Sequence, residues 1–199
     1  ELSRCRRKVI NADSVERVRG IEGDAATSYF GVFPHLILNQ KESFVFKGRN
    51  RRPPKDAVNA MLSFVYTLIS NDVTAALETV GLDPYVGFMH ALRPGRPSLA
   101  LDIMEELRAY LGDRLVLSLI NRKQITGNQF LQQGDESIIM TDDARRTIIS
   151  AWQARKKEQI QHPFLNEKVS IGLLPHIQAM MLARYLRNDL DDYPVFLIQ

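Results

Sequence analysis

Carboxylates on short segments, one loop histidine and several arginine clusters are the side chains in this sequence that can do chemistry together. Glu22 lies in Arg19-Gly20-Ile21-Glu22-Gly23-Asp24-Ala25-Ala26. Inside a helix each glycine costs ~1 kcal/mol relative to alanine, so the pair points to something approaching closely there. Read alone, the segment is better accounted for by a solvated Glu22, with the glycines serving helix packing. His90 ends Asp83-Pro84-Tyr85-Val86-Gly87-Phe88-Met89-His90 in a loop, where a lone histidine is more often a surface or hydrogen-bonded residue than a ligand. Asp102, Glu105 and Glu106 share one side of a short helix, at spacings that put their Cβ atoms ~5–6 Å apart. They repel unless solvated, paired with arginine or bound to a cation. Oxygen ligands with one imidazole suit Mg²⁺ or Mn²⁺, and open positions for water and phosphate suit metal-assisted phosphodiester chemistry. Dinucleotide, Walker A, CxxC, HExxH and GxSxG signatures are absent from the sequence, which removes the common nucleotide, zinc and serine-hydrolase readings. His35, His162 and His176 have no carboxylate constellation nearby in sequence and read as structural.

The elements that must position these groups are mainly helical. The 199 residues are 45% apolar, enough for a real core, and 26 basic against 23 acidic side chains give a net charge of only +3, so any basic surface must come from local clustering. Cys5 has no internal disulfide partner, and no run approaches the ~20 apolar residues needed to span a bilayer, so a reducing, cytoplasmic setting and no membrane are expected. The start at Glu1, with no secretory signal, reads as a fragment of something longer. A capping box at Asp13 and Glu16 opens the first expected helix, with Val15, Val18, Ile21, Ala25, Ala26 and Tyr29 as its buried stripe and Pro34 ending it. Residues 40 to 54 form a basic loop carrying Lys41, Lys47, Arg49, Arg51 and Arg52. A buried helix follows from Lys55 to about Ser70, then a stop at Asn71-Asp72 and a short helix to Val80. Beyond an irregular stretch to Pro97, Ser98 caps a helix to Leu111, and another runs from Asp113 to Lys123. Gln129 to Gln132 and Ser137 to Met140 make one small hairpin, Thr141 caps a helix to about Gln161, and the last helix covers Glu167 to Asn188 with a kink at Pro175. The fold class is therefore mainly α, with at most one small β-hairpin. The aromatics fall mostly at core spacing, which argues against a base-stacking platform.

Four motifs in order carry a family resemblance: Arg19-Gly20-Ile21-Glu22-Gly23 with Ala25-Ala26 and Tyr29; Asn59-Ala60-Met61-Leu62-Ser63-Phe64 with Tyr66; Gly81-Leu82-Asp83-Pro84 with Gly87-Phe88 and His90; and Arg96-Pro97-Ser98-Leu99-Ala100-Leu101-Asp102-Ile103-Met104-Glu105. Gln178-Ala179, Leu182-Ala183 and Leu186-Arg187 add a fifth segment. Together they resemble the CRISPR-associated protein one family, the adaptation integrase. The resemblance implies that Glu22, His90 and Glu105 bind a divalent metal, Mg²⁺ or Mn²⁺, and carry catalysis, with Asp102 supporting the site. Arg96 and Arg108 match positions that are often basic near it, consistent with holding the phosphates of bound DNA. Glu106 stands where many relatives have proline. Family members begin with a β-rich domain that nothing here resembles, so residues 1–12 read as a linker or the end of that domain and 13–199 as the helical catalytic domain.

The function that the resemblance implies is a metal-dependent DNA endonuclease and integrase that inserts short DNA fragments into a CRISPR repeat array by transesterification. The implied partners are double-stranded DNA, a second copy of the chain in a homodimer, and CRISPR-associated protein two. Arg4-Cys5-Arg6-Arg7-Lys8, Arg49 to Arg52, Arg145-Arg146 and Arg155 to Lys157 are basic segments able to track phosphate if they share one side, with Arg49, Arg51 and Arg52 the candidate contacts. Charge runs are usually solvated faces, so a non-catalytic helical DNA-binding or assembly domain is the alternative. A general DNA repair nuclease would share the metal site and differ in substrate.

Overall fold

A computed structural model describes residues 1–198, which divide into two compact units: Glu1–Ser63 with Val116–Ala144, and Phe64–Leu115 with Arg145 onward. In the first unit the expected linker is helical. Helix α1 (Leu2–Ile10) packs on α2 (Val15–Val32) through Cys5, its one buried residue. The cap of α2 is Ser14, whose Oγ accepts from the Arg17 N–H at 3.3 Å, and Asp13 instead forms a surface ion pair with Arg17. The expected stripe on α2 reduces to Ile21, because α1 and the following 3₁₀ turn (Phe33–Leu36) are its main packing partners. Tyr29, Phe30, Phe33 and Phe46 gather in an aromatic cluster at its far end, Tyr29 meeting Phe30 and Phe33 edge to face and the phenylalanines tilted against one another. The predicted hairpin is present, with β1 (Phe130–Gln132) antiparallel to β2 (Ile138–Met140).

Helix α3 (Ala57–Thr79) runs unbroken through Asn71-Asp72, where a stop was expected. Val73, Ala76 and Leu77 continue its buried face, and Asp72 pairs with Lys156 at 2.9 Å instead of capping a new helix. With 23 residues it is also long and apolar enough to cross a membrane by length and composition, contrary to the reading that no such run exists. Met61, Leu62, Val65 and Ile69 are fully buried within the chain and Asn59 is buried with them, as in a core helix.

In the second unit α4 (Ser98–Leu107) passes through a π-helical turn (Arg108–Asp113) into the start of α5 (Arg114–Asn121), where two separate helices were expected. Gly112 lies against Tyr66, whose ring carbon would stand 3.0 Å from any added Cβ, and buried Asp113 accepts the Tyr66 hydroxyl at 2.5 Å. Ser98 is the first helical residue, with its hydroxyl turned to the Ala91 carbonyl at 3.1 Å, so it does not cap α4.

Helix α6 (Asp142–Lys157) receives its expected cap from Thr141 but stops short of Gln161. A second antiparallel pair was not foreseen: β3 (Gln159–Gln161) with β4 (Lys168–Ser170). His162 closes its turn, accepting the N–H groups of Phe164 and Leu165 at Nδ1, while its own backbone N–H donates to the Glu167 carbonyl. The last helix, α7 (Leu174–Leu186), starts later than expected, and Pro175 sits harmlessly in its first turn, where its missing N–H would have had no helical partner.

Candidate active site

The second unit builds a pinned histidine from a loop and the first turns of α4. The Pro84 carbonyl accepts the Leu99 and Ala100 N–H groups, tying the loop to the helix start. Gly87 then presses so closely on α4 that an added Cβ would lie 2.7 Å from both Asp102 Oδ2 and the Ser98 carbonyl carbon. That approach brings three successive backbone N–H groups onto the Asp102 carboxylate: Phe88 at 2.7 Å and Met89 at 3.1 Å on Oδ2, and His90 at 2.9 Å on Oδ1. His90 Nδ1 meets the same Oδ1 at 2.7 Å, with the Asp102 side chain wholly buried and that of His90 19% exposed. Burial pushes the Asp102 carboxyl up, but the His90 ring and the Met89, Phe88 and His90 N–H groups outweigh it and hold the group below its ordinary value. An ionised carboxylate is acceptor-only, so the ring proton is assigned to Nδ1, and the Nε2 lone pair remains to ligate.

The three carboxylates of α4, expected to share one side, go to three different places. Asp102 turns to the loop. Glu105 stays partly exposed and pairs with Arg108, whose guanidinium also lies over the Tyr66 ring at 4.9 Å. Glu106 is turned into a buried network, accepting the Tyr193 hydroxyl at 2.6 Å and the Gln178 amide and Phe196 N–H each at 2.8 Å. Burial raises the Glu106 carboxyl despite these donors, and burial together with the Glu106 charge raises the Tyr193 phenol. Neither the Glu106 network nor the fit of Gly87 was anticipated from the sequence. The only signals for them there are the unusual acid beside Glu105 and the glycine three residues before His90.

Glu22 belongs to the first unit, exposed on α2. No atom would meet a Cβ at Gly20 or Gly23 within 4 Å, so the expected close approach at these glycines is not present among the described residues. Likewise no three His, Cys, Asp or Glu side chains among the described residues are grouped to hold a metal ion. Of the candidate phosphate contacts, Arg49 is directed inward, donating to Asn59 Oδ1 at 2.7 Å and Ser63 Oγ at 3.1 Å. Arg51 and Arg52 are exposed, and Arg96 is half-buried in the His90 loop. Arg155 and Lys156 are held by the Tyr110 carbonyl and Asp72 respectively, which takes both out of a freely solvated basic face.

The family description that matches residues 1–154 is CRISPR associated protein Cas1. The chain belongs to the Cas1 family. A CRISPR-associated endonuclease Cas1 of Chlorobaculum tepidum is 56% identical over 195 residues, covering 98% of this chain and 57% of the relative. This chain thus spans a little over half the length of that Cas1 protein. Among solved structures, a Cas1 protein from Thermotoga maritima superposes with a TM-score of 0.84 at 30% identity, over 94% of this chain and 56% of that one. A Cas6-RT-Cas1–Cas2 complex contains a chain that matches with a TM-score of 0.83 at 28% identity, over 98% of this chain and 21% of that one. The mainly helical architecture is therefore one found in Cas1 structures, and the matched Cas1 region contains Glu22, His90, Asp102 and Glu105.

Proposed function

We propose that this chain is the helical catalytic domain, residues 13–199, of a metal-dependent DNA endonuclease and integrase of CRISPR adaptation, which inserts short DNA fragments into the repeat array by transesterification. The observation that carries the reading is His90, its ring held at Nδ1 by buried Asp102, which also takes three backbone N–H groups of the loop, with Nε2 left as an acceptor; Asp102 stands one helical turn of α4 before Glu105. This is the support a metal-binding imidazole needs, and an imidazole with carboxylates is a donor set suited to Mn²⁺ or Mg²⁺. His90 and Glu105 would hold the ion, and the family motifs assign Glu22 as a further ligand. A divalent ion bound there would supply charge stabilisation at a phosphodiester under attack by a DNA 3′ hydroxyl, chemistry that needs no protein nucleophile.

Asp102 holds the ring proton on Nδ1, and Arg108 balances and orients Glu105. Arg51, Arg52 and Arg96 contact phosphate. Double-stranded DNA is the substrate, and the assembly is a homodimer joined by CRISPR-associated protein two. The pairing of Cas1 with Cas2 in the solved complex supports the second partner. Strand nicking and transfer on a repeat-containing duplex test the proposal: both should require Mn²⁺ or Mg²⁺, vanish with chelator, and be lost in Glu22→Gln, His90→Ala and Glu105→Gln while DNA binding persists. DNA binding without metal-dependent cleavage in the unsubstituted protein, assayed with its partner subunit, would favour a non-catalytic DNA-binding domain.

A further inference from the structure

The segment from Lys47 to Lys55 carries five cations and no acid, so a free loop of this sequence repels itself and splays. One buried amide holds it instead. Asn59, the third residue of α3, is 0% exposed among the buried Val58, Ala60, Met61 and Leu62, where an apolar side chain would serve a core. Its side chain bonds to the loop and its end. Nδ2 donates to the Gly48 carbonyl at 2.9 Å and to Asp56 Oδ2 at 2.6 Å, while Oδ1 accepts Arg49 Nη1 at 2.7 Å and the Asn50 N–H at 3.0 Å. Both amide protons and both lone pairs are thereby used, which is the condition for burying such a group. The Asn59 backbone N–H donates to Asp56 Oδ1 at 2.7 Å, so the same two residues start the helix. Asn50 closes the loop from its other side, accepting the Lys55 N–H at 2.8 Å and donating to Asp56 Oδ2 at 3.4 Å, and the Pro54 carbonyl accepts the Ile138 N–H of β2 at 2.8 Å. Each of these ties falls at 48–50 or 54–56. Between them stand Arg51 and Arg52, both exposed.

We propose that Asn59 is a positioning residue for DNA binding: it holds the flanks of this loop so that Arg51 and Arg52 are already ordered for phosphate. The inference rests on the reading above that these arginines contact phosphate, and deepens it by assigning what places them. A mobile loop must be ordered against its own charge repulsion each time DNA binds, whereas a loop fixed during folding meets DNA without that loss. An amide whose four bonds all go to the two flanks of an arginine pair is arranged for that pair.

The experiment follows binding of a mixed-sequence DNA duplex by fluorescence anisotropy over a range of salt. It compares the unsubstituted protein, Asn59→Ala, Asn50→Ala, the pair Arg51→Ala with Arg52→Ala, and each asparagine variant combined with that pair. Asn59→Ala should bind roughly 10- to 100-fold more weakly with its salt slope kept, because both arginines still neutralise phosphate once bound but must first be ordered. Asn50→Ala should lose part of that factor. With both arginines already replaced, neither asparagine substitution should weaken binding further, the mark of residues that act through the arginines. Hydrogen exchange at the Asn50 and Lys55 amides should quicken in Asn59→Ala, since both lose the arrangement that shields them. Full affinity in a folded Asn59→Ala protein overturns the proposal. So does an equal loss with and without the arginines, which makes Asn59 a general support of the fold. Should Asn59→Ala not fold, Asn50→Ala decides by the same two outcomes. If the arginine pair variant binds as tightly as the unsubstituted protein, the phosphate-contact reading itself falls, whereas weaker binding there with Asn59→Ala unaffected sinks only this inference.

Discussion

Asp102→Asn tests the reasoning about His90 with a single atom exchange. The carboxylate takes four donors, two on each oxygen, but an amide has one oxygen. If that oxygen faces Phe88 and Met89, the amide NH₂ faces the His90 backbone N–H and Nδ1. The ring can answer by moving its proton to Nε2 and accepting at Nδ1; the backbone N–H cannot. With the amide reversed, two backbone N–H groups lose their acceptor, so the first arrangement wins. One stranded buried donor costs ~1–3 kcal/mol, and replacing charge-assisted bonds by neutral ones adds to this, for a total of about 2–4 kcal/mol. A chain of this size should melt roughly 5–15 °C lower. A protonated Nε2 has no lone pair to ligate, so Mn²⁺ affinity should fall by about 10- to 100-fold. Thermal melts, Mn²⁺ binding followed by electron paramagnetic resonance, and long-range ¹⁵N–¹H correlation of the imidazole measure the three effects. A folded Asp102→Asn protein with its proton still on Nδ1 and unchanged Mn²⁺ affinity would refute the account.

Gly87→Ala should destabilise by ~1–3 kcal/mol and weaken Mn²⁺ binding alongside Asp102→Asn, because backbone as well as Asp102 Oδ2 stands 2.7 Å from the new Cβ; denaturant titration checks it. Glu106→Ala removes the acceptor of Tyr193, Gln178 and Phe196, so hydrogen exchange of the tail after Asp189 should rise sharply, while Tyr193→Phe should raise it less. His162 accepts two backbone N–H groups and is buried, and burial, opposed by Gln178, holds its folded value below the ordinary 6.5. The unfolded chain then takes up this proton first. Stability should be complete above about pH 6.5 and fall below it by at most ~1.4 kcal/mol per pH unit until the folded group also protonates, and His162→Gln should remove that slope from urea titrations. Replacing Arg51 and Arg52 by alanine should reduce the salt slope of DNA binding by ~0.9 for each phosphate that is no longer neutralised, whereas Arg49→Ala should instead lower the melting temperature, since Arg49 bonds Asn59 and Ser63.

The sequence by itself determined the mainly helical class, the first hairpin between Phe130 and Met140, and the segments from which a metal site would be drawn, because 3.6-residue periodicity, turn chemistry and ordered motifs are local signals. It misread elements whose boundaries are set by tertiary contacts. Asn71-Asp72 has the chemistry of a helix stop, but Val73, Ala76 and Leu77 continue a buried face and Lys156 neutralises Asp72, so α3 continues. The pair β3 and β4 depends on His162 closing a turn through its side chain, a contact no periodicity encodes. The carboxylates of α4 show the division most clearly. Spacing placed Asp102, Glu105 and Glu106 on one helix within a turn of each other, which the backbone geometry guarantees. Only the packed structure decided that Asp102 would be buried under three N–H groups, that Glu105 would meet Arg108, and that Glu106 would hold Tyr193. The reason is physical: a carboxylate's role is fixed by the donors that replace its water, and for Asp102 these come from a loop twelve to fourteen residues away, for Glu106 from α7 and a tail 72 to 90 residues away.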